Sequence, residues 1–379
     1  MITRHATRSG LLPIGADVKI LFIRLRLIGD LIFTTPAIRA VKQTLPNAHV
    51  SYLIEVESAA ILARNPYIDD LIVVERPRGI RRLQYDFKLA RRVRAARFDA
   101  VVDFHGGPRS SWLTWRSAAA IRIGYALPHR YWAYTHRIPV ADRPPSRHSV
   151  VNQWDLLAAL DDRLNRKPDP TRDSVEMAED PAAAIAVSRR LAAAAVGPTD
   201  PLVVIHVSAG NPFRRWALDC FIETIKTLAL SDAQRRFVIT AGPSDRRAVD
   251  KILFTVRAQL GQRAPTMIPG DGFNLPELRS LIGRAALFVG GDSGPLHLAA
   301  TTSVPIVGIY GPTLSARSTP WRSPVYPTEA VDVGELSCRP CDQRHCEPGD
   351  FRCLTTLPPS TVIAAAERAL KSRNLKPND

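Results

Sequence analysis

Short apolar runs alternate along the chain with longer stretches in which apolar residues recur every three or four positions. The runs are about four to eight residues long and are bounded by Gly, Pro and Asp, which is typical of parallel strands buried on both faces. We therefore predict strands at 19–26, 49–54, 70–74 and 99–104, and again at 203–206, 237–241, 286–290 and 305–310. The longer stretches between the runs predict helices.

A weakly patterned segment that contains Pro and Asp, 163–180, interrupts this alternation and indicates a linker. The pattern predicts an α/β protein of two Rossmann-like doubly wound domains, residues 1–170 and 171–379, that face a cleft. A cysteine-bearing loop and a final helix at 364–373 belong to the second domain. Ligands of such sheets bind at the carboxyl ends of the strands, so we expect the chemistry in the loops that follow the strands.

The composition is that of an ordinary folded protein and excludes several classes. Of the 379 residues, 45% are hydrophobic and 23% are charged, which excludes a disordered chain, a collagen-like repeat and a small disulfide-stapled scaffold. Charged residues interrupt the most apolar early segment, 18–33, so a membrane-spanning helix is excluded. The N-terminal stretch, 1–18, lacks the apolar core of a secretory signal. We therefore expect a cytoplasmic protein whose cysteines are thiols or metal ligands rather than disulfides.

The charge of the chain is strongly positive and unevenly distributed. The sequence holds 51 basic and 36 acidic residues, for a net charge of +15. Residues 1–170 hold 27 basic and 15 acidic side chains, net +12, whereas residues 171–379 are close to balance. This field favours an anionic partner, which could be nucleic acid, a phosphorylated small molecule or an acidic membrane surface. The alternative is a solvated basic face without a partner.

One predicted helix, 81–97, carries much of this charge. Its apolar residues recur at three- and four-residue steps and predict a core-facing stripe, formed by Leu83, Phe87, Ala90 and Val93. Most of its basic side chains then face outward, among them Arg91, Arg92 and Arg94. We predict that this surface contacts an anionic membrane.

The loop after the first strand contains Gly29 and Asp30. Gly29 permits a tight turn or a close approach of the backbone to a ligand. Asp30 is either the N-cap of the helix that follows or a general base at the carboxyl edge of the sheet. No G-x-G-x-x-G and no P-loop motif follows this strand, so dinucleotide-binding and NTPase functions lose their main support.

Two loops of the second half have the composition of an anion site. At 290–300, glycines and a helix start with Pro295 at its first turn offer free backbone N–H groups that suit a diphosphate. Asp292 or Ser293 can cap that helix, and His297 either donates to a ligand or is a buried, satisfied histidine. At 206–210, small residues precede Arg214, whose planar guanidinium suits phosphate, and Trp216, which we interpret as a core anchor.

These loops together resemble the heptosyltransferase family, inverting glycosyltransferases that transfer heptose from ADP-heptose during assembly of the lipopolysaccharide core. The resemblance covers most of the chain. The most specific motifs are the run from Gly291 to Ala299 and Tyr310-Gly311-Pro312-Thr313; the others are Gly29-Asp30, Thr34-Thr35-Pro36, 103–107, 123–125 and 206–216. The resemblance implies a GT-B architecture, with the acceptor on the N-terminal domain and the nucleotide-sugar on the C-terminal domain.

The resemblance also implies roles for individual residues. Asp30 matches the catalytic base of the family, and Arg214 stands where the family often has Lys and would neutralise the leaving diphosphate. Trp216 is followed by Ala217, where the family usually has Pro. The implied donor-binding residues are Ser208, Asp245, Phe273, Asp292, Ser293, Gly294 and His297. The implied acceptor-binding residues are Gly29, Thr34 and His105.

The resulting prediction is an inverting, metal-independent transfer of heptose from ADP-heptose to the lipopolysaccharide inner core, onto a Kdo or heptose acceptor. No cofactor and no nucleic acid partner are expected. We expect a monomer that binds an ADP-sugar and an anionic lipid A-core acceptor at the inner face of the inner membrane. The alternatives are a GT-B enzyme that transfers another sugar, a nucleotide-sugar epimerase and, outside enzymes, a basic nucleic-acid binder.

Four cysteines follow a C-x2-C-x4-C-x6-C spacing near the C-terminus: Cys338, Cys341, Cys346 and Cys353. They could bind zinc tetrahedrally, with His345 as an alternative ligand, but only one C-x-x-C pair is present. A structural loop without metal stays open as the alternative. The fifth, Cys220, lies on a predicted helix and is expected to be a core thiol.

Overall fold

The computed structural model describes residues 17–140 and 143–374. The chain divides into two compact units, with the boundary between Asp173 and Ser174. Residues 1–16, which belong to the N-terminal stretch in which we find no secretory signal, lie outside the described residues.

The first unit is built on a six-stranded parallel sheet. Its strands are β1 (Lys19–Ile23), β2 (His49–Glu55), β3 (Asp70–Val74), β4 (Ala100–Asp103), β5 (Ile121–Tyr125) and β6 (His136–Ile138). The order across the sheet is β3-β2-β1-β4-β5-β6. Its α-helices are α1 (Ile28–Ile32), α2 (Thr35–Thr44), α3 (Ile80–Ala95), α4 (Pro108–Arg116) and α5 (Ser149–Trp154).

The second unit repeats this plan. Its strands are β7 (Leu202–His206), β8 (Arg236–Thr240), β9 (Met267–Pro269), β10 (Leu287–Gly291), β11 (Ile306–Ile309) and β12 (Thr328–Val331). They are ordered β12-β11-β10-β7-β8-β9. The helices are α6 (Pro181–Ala193), α7 (Leu218–Ser231), α8 (Arg246–Leu260), α9 (Leu275–Arg284), α10 (Gly294–Ala299), α11 (Ser315–Ser318), α12 (Arg352–Thr355) and α13 (Pro359–Asn374).

Each sheet has a switch point at its centre, where the order in which the chain adds strands reverses. Doubly wound folds bind ligands at such points. The central strands are buried on both faces: residues 20–23 of β1 and 202–205 of β7 have no exposed surface. The chain first winds to one side of each sheet and then to the other, so the switch points lie between β1 and β4 and between β7 and β10. The prediction of two Rossmann-like doubly wound sheets is confirmed.

The predicted core-facing stripe of the basic helix is wrong in its first half. Ala90 and Val93 are buried in α3, but Leu83 and Phe87 are 60% and 53% exposed. The reason is Asp86, which lies on the buried face because Arg109 binds it, with Nε to Oδ1 at 2.9 Å. Arg109 also pairs with Glu55 at 3.0 Å. A buried ion pair therefore occupies the face that the apolar periodicity assigns to Leu83 and Phe87.

Across the described ranges, no helix combines the length and the apolar character that crossing a membrane requires.

Candidate active site

Asp30 lies in the first turn of α1, directly beyond the carboxyl end of β1. The N-cap position of α1 belongs to Leu27, which has no side-chain capping bond and a φ of 75°. Asp30 is therefore not the N-cap, and that interpretation of the sequence is wrong. Its carboxylate is 31% exposed and forms an ion pair with Arg24. Gly29 lies within the same helical turn.

Arg24 ties Asp30 to the end of the neighbouring strand. Its Nη1 donates to the carbonyl oxygen of Phe104 at 2.6 Å, and its Nη2 donates to Oδ2 of Asp30. Gln153 donates from Nε2 to the carbonyl oxygen of Asp30 at 3.1 Å. Arg24 thus orients the carboxylate and Gln153 holds the backbone of Asp30; the sequence analysis singled out neither of them.

The turn after β4 presents His105 beside this pair. Asp103 is fully buried, and its Oδ1 accepts hydrogen bonds from the backbone N–H groups of His105 at 2.9 Å and Gly106 at 3.0 Å. Its Oδ2 accepts from the Tyr134 hydroxyl at 2.7 Å. Burial raises the pKa of the Asp103 carboxyl. The His105 ring packs so closely over Gly107 that a Cβ there would lie 2.8 Å from its Cδ2.

His105 is a neutral imidazole with an unused nitrogen. Burial lowers the pKa of His105 to about 4, and the positive charges of Arg24 and Arg26 act in the same direction. Its Nδ1 is buried and has no hydrogen-bond partner among residues 17–140 and 143–374. A buried polar atom without a partner is costly, so this nitrogen is a candidate contact for a bound hydroxyl.

Thr34 does not fit the predicted contact with an acceptor. It is fully buried, its Oγ1 donates to the carbonyl oxygen of Leu31 at 2.7 Å, and it lies 3.0 Å from the Tyr52 hydroxyl. Its hydroxyl therefore stabilises the junction of α1 and α2 and does not reach a ligand.

In the second unit, Asp292 is the centre of a charged cluster at the carboxyl end of β10. Arg214 Nη1 lies 3.1 Å from its Oδ2, and His297 Nε2 lies 3.5 Å from its Oδ1. Ser318 donates to the same Oδ1 at 3.1 Å. Burial raises the pKa of Asp292, but its contacts with His297, Arg214 and Thr313 outweigh burial and hold that pKa below the usual value.

The exposure of these three side chains separates their roles. Asp292 and His297 are only 2% and 5% exposed, whereas the Arg214 side chain is 32% exposed. A ligand can therefore touch Arg214, which is oriented by the buried Asp292. The buried His297 contacts Asp292. The contacts of Asp292 and His297 with the donor, which the family resemblance implies, stay predictions.

The start of α10 offers polar groups without protein partners. Ser293 occupies the N-cap position with an extended backbone but makes no side-chain capping bond. Its Oγ is buried and lacks a hydrogen-bond partner within the described part of the chain. Gly294 begins the helix, and a Cβ at the neighbouring Gly291 would lie 3.2 Å from the Arg214 carbonyl oxygen. Small residues thus let the Arg214 backbone approach this turn closely.

Ser208 follows β7 and is already hydrogen-bonded. Its Oγ accepts from the backbone N–H of Gly242 at 2.7 Å and lies 3.3 Å from Nε2 of His206. His206 Nδ1 in turn lies 3.0 Å from the Thr240 hydroxyl. Burial lowers the pKa of His206 to about 4. The hydroxyl of Ser208 therefore links the ends of β7 and β8, so a phosphate contact would have to share it.

We expect His206 to make the folded state sensitive to acid. Between pH 6.5 and 4, His206 is protonated in the unfolded state but stays neutral in the folded state. The free energy of unfolding therefore falls as the pH falls. The loss between pH 7 and pH 5 is about 2 kcal/mol for this histidine. Urea unfolding at both pH values measures it. His206→Asn should reduce the dependence by this amount and leave the similar contribution of His105, whose pKa is also lowered to about 4. An equally steep dependence in His206→Asn would contradict the assignment.

Gln343 is a site residue that the sequence analysis missed. Its Oε1 accepts from Nε of Arg214 at 2.6 Å and from Nδ2 of Asn211 at 3.1 Å. Its Nε2 donates to the Thr313 hydroxyl at 3.3 Å. Gln343 lies between Cys341 and Cys346, so the cysteine-bearing loop helps to hold Arg214.

Asp245 and Phe273 lie on the same edge of the sheet, after β8 and β9. Asp245 is paired with Arg215, with Nη2 to Oδ2 at 3.0 Å. One face of the Phe273 ring is covered by Arg190, whose guanidinium carbon lies 3.9 Å from the ring centroid. Both residues are partly exposed and carry polar or aromatic groups that a nucleoside can use.

The five cysteines are free thiols in the structure. Burial raises the pKa of the Cys353 thiol; Arg339 opposes this effect and Cys341 adds to it. Within the described residues, no group of three or more His, Cys, Asp or Glu side chains is placed to hold a metal ion. Cys220 is half-buried on α7 and packs against the core of the second unit.

Comparison with known proteins identifies the family. The model of glycosyltransferase family 9 (heptosyltransferase) matches residues 86–350. Among curated proteins, lipopolysaccharide heptosyltransferase 3 of Escherichia coli is 28% identical over 357 residues, which cover 92% of this chain and 98% of the relative.

Solved structures share the fold. A glycosyl transferase family 9 structure from Veillonella parvula DSM 2008 has a TM-score of 0.78 at 22% identity and covers 94% of this chain and 98% of its own. The structure of E. coli ADP-heptose lps heptosyltransferase II has a TM-score of 0.76 at 18% identity. This match covers 94% of this chain and 100% of the E. coli chain. The fold is that of GT-B heptosyltransferases. The resemblance seen in the motifs is confirmed: the chain belongs to glycosyltransferase family 9, the heptosyltransferases, and it is a glycosyltransferase.

Proposed function

We propose that this glycosyltransferase transfers heptose from ADP-heptose to the inner core of lipopolysaccharide with inversion at the anomeric carbon. The first unit, approximately residues 1–170, would bind the acceptor, and the second, 171–379, the nucleotide-sugar. The names of the two E. coli proteins, a lipopolysaccharide heptosyltransferase and an ADP-heptose heptosyltransferase, support the sugar and the product. The observation that carries the mechanism is Asp30, a partly exposed carboxylate held in place at the switch point of the first sheet.

Asp30 has the geometry of a general base. Arg24 holds its Oδ2, while its Oδ1 accepts no hydrogen bond from the residues that the structure describes. The open oxygen would accept the proton of an acceptor hydroxyl as that hydroxyl attacks the anomeric carbon. His105, neutral and with a free Nδ1, would accept a hydrogen bond from another hydroxyl of the acceptor and fix its orientation.

The second unit supplies the charge that the departing ADP requires. Arg214 is oriented by Asp292 and Gln343 and keeps about a third of its side chain exposed. Its guanidinium, with the Ser293 hydroxyl and the backbone N–H groups at the start of α10, would stabilise negative charge on the leaving diphosphate. Asp245 and Phe273 would contact ribose and adenine. This chemistry uses protein groups alone and calls for no cofactor.

We also propose that the protein acts as a monomer in the cytoplasm, at the inner face of the inner membrane. The net charge of +12 in residues 1–170 suits an anionic acceptor such as a phosphorylated lipid A core. Nucleic acid is not proposed as a partner.

Thermal unfolding with three ligands tests the donor assignment. We expect ADP to raise the melting temperature by several degrees at 100 times its Kd, because binding there stabilises the fold by about 3 kcal/mol. UDP and an oligonucleotide should leave it unchanged. Arg214→Ala should reduce the effect of ADP, and Arg368→Ala, a surface arginine of the same unit paired with Glu329 at 2.8 Å, is the matched control. A larger effect of UDP would favour another sugar, and an effect of the oligonucleotide alone would favour a nucleic-acid binder.

A further inference from the structure

A continuous set of exposed apolar side chains runs across the helical layer of the first unit. Its exposed members are 46% to 74% accessible: Ile80, Leu83, Phe87, Trp115, Tyr131 and Trp132. Single exposed apolar residues are normal at a protein surface, but a contiguous group of large ones marks an interaction site. We refer to this group, together with the arginines described below, as the aromatic–arginine face.

Ring contacts join the parts of this face. Phe87 on α3 meets Trp112 on α4 edge to face, with ring centroids 5.4 Å apart. Trp115, one turn further along α4, meets Trp132 at 5.9 Å. Ile80, Leu83 and Phe87 are spaced three and four residues apart and so share one side of α3. The apolar surface therefore spans α3, α4 and the short 3₁₀ helix Tyr131–Ala133.

Arginines are interleaved with these rings. Arg116 stacks over Trp115 at 5.7 Å and Arg137 over Tyr131 at 5.5 Å. A hollow of about 310 Å³ opens in the same region, and it is lined by Arg94, Trp115, Arg116, Ala118 and Arg122. Arg122 is fixed there, because its Nε donates to the Ala133 carbonyl at 3.0 Å. Nε of Arg116 is buried without a hydrogen-bond partner in the described part of the chain.

The two stretches of chain that form this face, 80–97 and 104–137, contain a single acidic residue. The sequence from 104 to 137 contains neither Asp nor Glu. Asp86, within α3, is buried against Arg109. A surface that combines Trp and Tyr with unbalanced arginine matches the interface of an anionic bilayer, where aromatic rings lie at the headgroup level and arginines bind lipid phosphates.

We propose that the aromatic–arginine face docks the protein on an anionic phospholipid membrane. The aromatic rings enter the headgroup region, and the hollow between Arg94, Arg116 and Arg122 receives a lipid phosphate. This docking rests on the proposed function, because a lipid-borne acceptor requires the protein to reach the membrane. The membrane contact then involves apolar side chains of α3, α4 and the segment 131–133, in addition to the positive charge of α3. His105, a proposed acceptor contact, lies in the turn between β4 and α4, three residues before α4 begins. Docking through α4 would therefore bring the bilayer close to this turn.

Vesicle sedimentation with paired variants tests this surface. Wild-type protein should sediment with vesicles of 70% phosphatidylcholine and 30% phosphatidylglycerol and not with pure phosphatidylcholine. Trp115→Ser with Trp132→Ser, which changes no charge, should weaken partitioning at least tenfold. Arg91→Glu with Arg94→Glu, two exposed positions on α3, should weaken it by a similar factor. The matched control is Arg189→Glu with Arg263→Glu, which removes the same charge from exposed positions of the second unit and should retain wild-type binding.

The stabilisation by ADP is measured on each variant. An unchanged response shows that the variants fold and keeps this test independent of the donor assignment. Wild-type partitioning by the tryptophan variant, or equal losses in the arginine variant and its control, would overturn the proposal. So would a wild-type dimer in sedimentation velocity that the tryptophan variant dissociates, because the face would then join two copies of the chain.

Discussion

Replacing Asp30 by Asn should lower the rate of sugar transfer by roughly two to four orders of magnitude, the usual contribution of a general base. The amide keeps the size of the side chain but accepts a proton far less readily. The substituted side chain can still accept a hydrogen bond from Arg24, so the turn should keep its shape. The rate at saturating donor and acceptor, followed as release of ADP, measures the effect.

A second carboxylate of the first unit provides the control for this change. Asp69 is 34% exposed and pairs with Lys42 at 2.7 Å, whereas Asp30 is 31% exposed and pairs with Arg24. Asp69→Asn therefore removes a similarly exposed, paired charge outside the site and should leave the rate unchanged. ADP should bind to Asp30→Asn as to the wild type, because the proposed donor residues belong to the other unit. An Asp30→Asn enzyme with the wild-type rate would show that Asp30 only orients Arg24.

Seven of the eight strands that the sequence predicts are buried on both faces; the eighth, β3, lies at the edge of its sheet and is partly exposed. The seven are β1, β2, β4, β7, β8, β10 and β11, which appear as apolar runs because each has a helical layer on either side. The sequence analysis missed β6 and β12, which lie at the edges of their sheets and are partly exposed. It also missed β5 and the three-residue β9. Apolar runs therefore locate the centre of such a sheet, where the proposed site lies, better than most of its edge strands.

The site residues found from the sequence are those in short motifs. Asp30, Ser293 and the run around Asp292 lie in segments whose glycines and position directly after a strand indicate a ligand site. The sequence does not indicate Arg24 or Gln343 as site residues, because both contact residues that are distant along the chain. Arg24 contacts residue 104, and Gln343 contacts residue 214. Polarity alone did not separate a contact residue from a structural one, as buried Thr34 shows.

Arg214→Ala should lower turnover by roughly two to three orders of magnitude, the loss typical when one group that stabilises developing charge is removed. The affinity for ADP should fall less, because a group that acts on the leaving diphosphate is worth most in the transition state. Arg214→Lys should recover part of the rate, since it restores the positive charge but not the planar geometry. Single-turnover rates and the Kd of ADP measure the two quantities, with Arg368→Ala as the control. Equal losses in rate and affinity would indicate plain ground-state binding.

Gln343 extends the same prediction to the cysteine-bearing loop. It accepts the Nε hydrogen of Arg214 at 2.6 Å, so it fixes the guanidinium plane without itself being one of the groups that we assign to the donor. Gln343→Ala should therefore lower turnover less than Arg214→Ala does, with little effect on the Kd of ADP. In the double variant the second substitution should cost almost nothing more, because Gln343 acts through Arg214. Additive losses would mean that the loop contributes to the reaction by another route.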